Sequence, residues 1–208
     1  MSEPLLPELP AGAFAKQDPG DDLAFYAPPR LVTHIDDAAV VALTGRYREL
    51  LPDGGRVLDL MSSWVSHLPP DRTYAAVVGH GMNAEELAAN PRLDRWFVQD
   101  LNRDATLPLE DQSFEGALCC VGAQYLQQPV AVFTEVRRVL VPEAPFIVSF
   151  SNRCFPTKAV TIWRSLNING HAALVRIYLE RAGFRHITAD VLADGRASDP
   201  LVAVTGRA

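Results

Sequence analysis

Asp59 stands inside the apolar run Val57-Leu58-Asp59-Leu60-Met61. A carboxylate in such a run is costly to bury unless it is paired or receives hydrogen bonds. An acid beneath a ligand loop, organising the loop's amide groups, satisfies that demand; so does a structural Asp capping the next turn. Asp100 closes a second apolar run, Phe97-Val98-Gln99-Asp100, and precedes a long polar loop. At that edge its carboxylate can accept from an exocyclic amine or cap a turn. Asp104 and Asp111, further along, read as turn residues. His34, His67 and His80 are each a potential base or ligand contact, although a lone His is more often a satisfied structural residue. Ser62 and Ser63 bring hydroxyls to the stretch after Asp59, and Trp64 is either a core anchor or a wall of a cleft. No His-Glu-Xaa-Xaa-His, Cys-Xaa-Xaa-Cys or Gly-Xaa-Ser-Xaa-Gly pattern occurs, which leaves metal-hydrolase and serine-hydrolase readings without support. Cys119 and Cys120 are adjacent and point to opposite faces of a strand, a poor metal pair. With Cys154 they read as small buried hydrophobes in a reducing compartment.

These groups need elements to position them. Residues 56–61, 74–79, 96–98, 114–121, 144–150, 184–191 and 201–204 read as β-strands. Helical spacing runs over 36–51, where Ala39, Val40, Leu43, Tyr47, Leu50 and Leu51 recur, and over 130–140. Residues 83–89 form a helix with Asn83 as N-cap and Glu86 three residues on; 157–166 and 171–182 are two more, the second stopped by Gly183. Strand and helix alternate and the chain closes on two strands. That order predicts an α/β fold: a doubly wound, seven-stranded, mostly parallel sheet whose last strand is antiparallel and lies beside residues 184–191. Ligands of such sheets sit beyond the carboxyl ends of the strands, after Leu60, Gly79, Val98 and Val121.

The 208 residues suit one domain, 23–208, preceded by a loose arm over residues 1–22 that is rich in Pro, Gly and acids. A net charge of −6 argues against a nucleic-acid partner, whose phosphates would ask for a basic excess. No apolar run approaches the roughly 20 residues of a membrane helix, and the first residues carry no secretory pattern. A cytoplasmic location is the expectation. Lys16 and Lys158 are the only lysines; the preference for arginine reads as coding bias.

Residues 36–206 together resemble the small-molecule, type 11-like class I S-adenosylmethionine-dependent methyltransferases. VLDLM at 57–61 is similar to the family's first motif, and YAAVVGHGMNAEELAAN at 74–90 to its second strand and helix. FVQDLNRDATLPLEDQSFEGALCCVGAQYL at 97–126 carries the most specific match. EVRRVLVPEAPFIVSFSN at 135–152 and LERAGFRHI at 179–187 continue it. The resemblance implies S-adenosyl-L-methionine as cofactor and methyl transfer to a small molecule, with catalysis mainly by proximity. It places cofactor contacts at Tyr26, Asp59, Met61, Ser62, His80, Gly81, Asp100 and Leu101, with Ser63 and Asn83 nearby, and general-base candidates at His34 and Tyr125.

Two departures stand out. The family's first strand runs into Gly-Xaa-Gly-Xaa-Gly; here the matching residues are Met61-Ser62-Ser63-Trp64-Val65. The acid that holds the ribose hydroxyls at the end of the second strand is replaced by Gly81. The cofactor site is therefore atypical, and a catalytically inactive module of the same fold, binding a small ligand or a protein, is the alternative.

Overall fold

The computed structural model describes residues 6–208. Its elements, in chain order, are α1 (Asp22–Tyr26), α2 (Asp37–Leu50), β1 (Arg56–Asp59), β2 (Ala76–Gly81), α3 (Ala84–Ala89), β3 (Arg95–Val98), β4 (Gly116–Cys120), α4 (Pro129–Val139), β5 (Pro145–Ser151), α5 (Thr161–Ser165), α6 (Ile168–Arg181), β6 (Arg185–Ala193) and β7 (Leu201–Arg207). A single 3-10 turn, Ala123–Tyr125, follows β4.

Seven strands form one sheet in the order β3-β2-β1-β4-β5-β7-β6. The first five pair in parallel, and β7 runs antiparallel between β5 and β6, as the strand order in the sequence implied. Helix α2 forms because Ala39, Leu43 and Tyr47 repeat at four-residue spacing and bury one stripe; Asp36 caps it by accepting the Ala39 N–H at 2.9 Å. That stripe packs with Val57, Val77, Leu118 and Ile147 on one face of the sheet. On the other face, Phe133, Val136 and Tyr178 from α4 and α6 pack with Leu58, Phe146 and Val204. Coverage on both faces explains why β1, β4 and β5 read as continuous apolar runs.

Two expectations differ from the structure. Strand β2 lies two residues later than 74–79, because its parallel pairing with β3 matches His80 to Phe97 and Gly81 to Val98 and so carries the strand on to Gly81. The arm is not loose over residues 6–22 (residues 1–5 lie outside the described residues). Leu6 and Ala13 are buried, and Phe14 meets the Tyr178 ring at 6.1 Å. Backbone bonds run from Asp18 N–H to Thr157 O and from Ile162 N–H to Ala13 O, at 2.9 and 2.8 Å. Apolar residues placed among prolines and glycines show no period, yet their burial still offsets the entropy of ordering. The same contacts shorten the helix expected over 157–166: residues 157–160 serve the arm, with Lys158 turned inward and Val160 bridging Lys16, and only α5 remains.

Candidate functional site

Strands β1, β2 and β4 end side by side, and the loop after β1 is tied down by side chains from its neighbours. Asp59 is buried at the end of β1 and accepts the Ser62 hydroxyl at 2.6 Å. Burial pushes its carboxyl up to about 7, while the Ser62 and Ser66 hydroxyls pull it back. Met61 N–H donates to His80 Nδ1 at 3.1 Å, and Ser62 N–H to the His80 carbonyl at 2.6 Å. With Nδ1 accepting, His80 Nε2 carries the hydrogen and donates it to Gln99 O at 3.0 Å. Burial lowers this imidazole to about 4, so it stays neutral. Ser63 Oγ donates to Glu86 at 2.6 Å, and Asn90 Nδ2 to Ser63 O and Ser66 Oγ, both at 2.9 Å.

Gly81 and Gly122 record how close this loop lies. A Cβ on Gly81 would stand 2.5 Å from the Ser62 carbonyl oxygen, and one on Gly122 would stand 2.8 Å from Met61 Cβ. The loop backbone thus fills the place where a side chain at position 81 would begin. Three non-glycine residues here adopt the left-handed region: Met61 at φ +56°, His67 at +52° and Val121 at +46°. Each costs about 1–3 kcal/mol. Two are held from outside: the His67 carbonyl accepts from Thr44 Oγ1 at 2.9 Å, and the Val121 carbonyl from Gln124 Nε2 at 2.7 Å. Met61 and Val121 sit just past the ends of β1 and β4, and His67 lies in the loop between β1 and β2; Gln112, Glu143 and His186 adopt the same region elsewhere.

The segment from Tyr26 to His34 roofs the cleft. Asn83 caps α3 through Oδ1, as its position predicted, and its Nδ2 donates to the Tyr26 and Ala27 carbonyls at 2.8 and 2.9 Å. Glu86 does not return to Asn83; it accepts Arg30 N–H at 2.6 Å. Trp64 is neither a core anchor nor a cleft wall: its indole N–H donates to Val32 O at 3.0 Å. The arm is latched beside the roof by Asp22, which pairs with Lys16 and with Lys158 (3.1 Å) and accepts from Asn102 Nδ2 at 3.1 Å. Lys158 is wholly buried and also pairs with Asp18 at 3.0 Å. The two lysines therefore do structural work at one carboxylate.

All ten candidate residues, Tyr26, His34, Asp59, Met61, Ser62, His80, Gly81, Asp100, Leu101 and Tyr125, line one cavity of about 390 Å³, within the range of small-molecule sites. Their chemistry separates them. His80 has both ring nitrogens bound to backbone and braces the loop, so it has none to offer a ribose. The Asp100 carboxylate accepts Asn102 N–H at 2.9 Å and pairs with Arg103 at 3.3 Å, capping its own turn. The Tyr125 hydroxyl accepts Phe155 N–H at 2.9 Å, which ties it to the segment after β5, and burial raises it to about 12. His34 and His67 both face the cavity, and burial lowers both imidazoles, so they are neutral near pH 7. Sequence reasoning missed Asp22, Arg30 and Glu86, which line the same cavity. Glu86 was visible only as a capping residue, and nothing local marks Arg30. Among the described residues no group of three or more His, Cys, Asp or Glu side chains could hold a metal, and no helix is long and apolar enough to cross a membrane.

This topology, with its cleft at the ends of β1, β2 and β4, defines a Rossmann-like methyltransferase fold. Residues 61–148, less than half of the chain, match the family described as a methyltransferase domain. The fold is shared with an S-adenosylmethionine-dependent methyltransferase from Mesorhizobium loti at 18% identity and TM-score 0.55, over 80% of this chain and 98% of that one. It is shared with phosphoethanolamine N-methyltransferase 2 of Haemonchus contortus in complex with S-adenosyl-L-methionine: 12% identity, TM-score 0.57, over 81% and 51% of the two chains. The [4+2]-cyclase SpnF also has it, at 16% identity and TM-score 0.60 over 89% and 90%. No curated protein matches by sequence. The family match and the fold agree with the class I S-adenosylmethionine-dependent methyltransferase resemblance and with its cofactor.

Proposed function

We propose that this chain is an S-adenosylmethionine-dependent methyltransferase acting on a small molecule through an atypical cofactor site. The observation that carries the reading is the cavity at the ends of β1, β2 and β4, with the buried Asp59 at its edge. The residues fit the cofactor with fewer anchors than the family's pattern. The amides of Met61 and Ser62 are already bonded to His80, and the ribose-acid position is closed by the Ser62 carbonyl. What remains is the Asp59–Ser62 pair toward the methionine end, the Ser63–Glu86 pair toward the ribose, Leu101 and Asp100 toward the adenine, and the Tyr26 ring as a cover. When bound, the cofactor supplies an electrophilic methyl group. The chain's own part is to hold and orient both reactants in a closed space and to accept the substrate's proton at neutral His34. Losing a hydrogen bond to a charged group costs about 1.5–3 kcal/mol, one to two decades of affinity. Binding is therefore weaker than in a site with the glycine loop and the acid.

Titration calorimetry with S-adenosylhomocysteine tests this: saturable heat for the wild type, reduced at least ten-fold in affinity by Asp59→Asn, supports the reading. Absence of heat at millimolar ligand favours the second reading, a non-methylating module of this fold, to which the filled position 81 already points.

A further inference from the structure

Among the described residues, the cavity lining holds two arginines. Arg153 pairs with Asp199 at 3.0 Å. Arg30 makes no ion pair. Its guanidinium donates to the Phe25 carbonyl at 3.0 Å and to the Pro28 carbonyl at 3.4 Å, which leaves N–H groups of its five unbonded. Its carbon lies 4.8 Å from the centre of the Phe25 ring, 5.8 Å from that of Tyr26 and 5.3 Å from that of Phe155. Three aromatic contacts and two carbonyls fix the plane of this cation before any ligand arrives. Beside it, Tyr26, Tyr125 and Phe155 form a triangle with centroids 6.1–6.4 Å apart, and the His34 ring meets Phe155 at 6.0 Å.

No acid lining the cavity forms an ion pair with the Arg30 guanidinium. Asp22 is neutralised by two lysines, Asp100 pairs with Arg103, and Glu86 accepts the Arg30 backbone N–H and the Ser63 hydroxyl. Asp59 lies at the end of β1 with its carboxylate on Ser62. A fixed, unpaired guanidinium beside an aromatic wall is a complementary surface for a flat ligand that carries an anion.

We propose that the substrate side of the cavity binds small aromatic acids, with the ligand's carboxylate on the free N–H groups of Arg30 and its ring against Tyr26, Tyr125 and Phe155. This names the substrate class of the site proposed above and takes from that reading only the ligand's role as substrate; the binding step stands by itself. The fixed plane favours a bidentate carboxylate, which a lysine cannot reproduce.

The test is a set of ligand-observed NMR titrations on the whole chain with benzoate, benzamide and cyclohexanecarboxylate, each with and without S-adenosylhomocysteine. Benzoate should bind at least ten-fold more tightly than benzamide and more tightly than cyclohexanecarboxylate. Arg30→Lys should reduce the benzoate affinity several-fold, and Arg30→Gln should remove the preference over benzamide. Melting curves show whether either variant stays folded, and the wild-type comparison needs no variant. Equal binding of benzoate and benzamide, no binding at millimolar concentration, or a preference that survives Arg30→Gln would overturn the proposal. Binding of S-adenosylhomocysteine without a benzoate preference rejects the aromatic acid alone. A benzoate preference without S-adenosylhomocysteine binding upholds the aromatic-acid site and rejects the cofactor reading.

Discussion

Gly81 stands where the resemblance to the methyltransferases would put an acid, and replacing it with Asp is the obvious repair. The structure predicts that the repair fails. A Cβ at this position lies 2.5 Å from the Ser62 carbonyl oxygen and 3.1 and 3.3 Å from the Leu87 methyl carbons. The flexible Leu87 can give way, but the backbone carbonyl moves only if residues 61–62 leave His80. That breaks the bonds from Met61 N–H and Ser62 N–H, at 3.1 and 2.6 Å, each worth about 1 kcal/mol net. Overpacking adds roughly 1–3 kcal/mol. The expected destabilisation is about 3–5 kcal/mol, a fall in Tm on the order of 10 °C for a chain of this length. Gly81→Ala should show most of that loss, because the clash begins at Cβ. Thermal melts of both variants and calorimetry with S-adenosylhomocysteine are the assays. A Gly81→Asp protein that melts within about 2 °C of the wild type and binds more tightly would refute the reasoning, because the loop would then be free to withdraw from β2 at little cost.

Three further outcomes follow from the same structure. Lys158→Met should cost about 3 kcal/mol, the lower end for breaking a buried pair, because Lys16 still holds Asp22; urea melts check it, and a change under about 1 kcal/mol contradicts the latch. The folded Asp59 carboxyl is raised above its usual value, so its contribution to stability is full below about pH 4 and is lost as pH rises toward about 7. The stability difference between wild type and Asp59→Asn should therefore fall by up to ~1.4 kcal/mol per pH unit across that window, and a flat difference rejects the burial of this acid. Imidazole NMR should find His34 and His67 titrating below the usual range, and His34→Gln should raise the His67 midpoint by removing a neighbouring positive charge; an unmoved His67 means that the two do not sense each other.

The sheet was legible because its signals are local. Apolar runs mark the strands, Asp36 and Asn83 mark helix starts, and Gly183, at φ +87°, marks the end of α6. The departures at positions 61–65 and 81 were legible as departures, but their mutual cause was not. Gly81 is small because Ser62 is there, a contact across 19 residues that only parallel pairing creates. His80 looked like a ligand contact because sequence shows a titratable ring and hides the backbone groups that occupy it. Lys16, Asp22 and Lys158 were opaque for the same reason, since nothing within the arm shows that a carboxylate at 22 meets a lysine at 158. Arg30 follows two prolines in a segment without period, and its aromatic setting depends on Phe155, in the loop that follows β5.

The central claim is that the cavity at the ends of β1, β2 and β4 holds S-adenosylmethionine although the Ser62 carbonyl closes the ribose-acid position at Gly81. A crystal structure of the chain soaked in S-adenosylhomocysteine tests it most directly. The account predicts density with the adenine against Leu101 and Asp100, the homocysteine end beside Asp59 and Ser62, and the Met61 and Ser62 bonds to His80 intact. Empty density in a saturated crystal with open solvent access to the cavity, or ligand bound only after residues 61–62 have left His80, would contradict it.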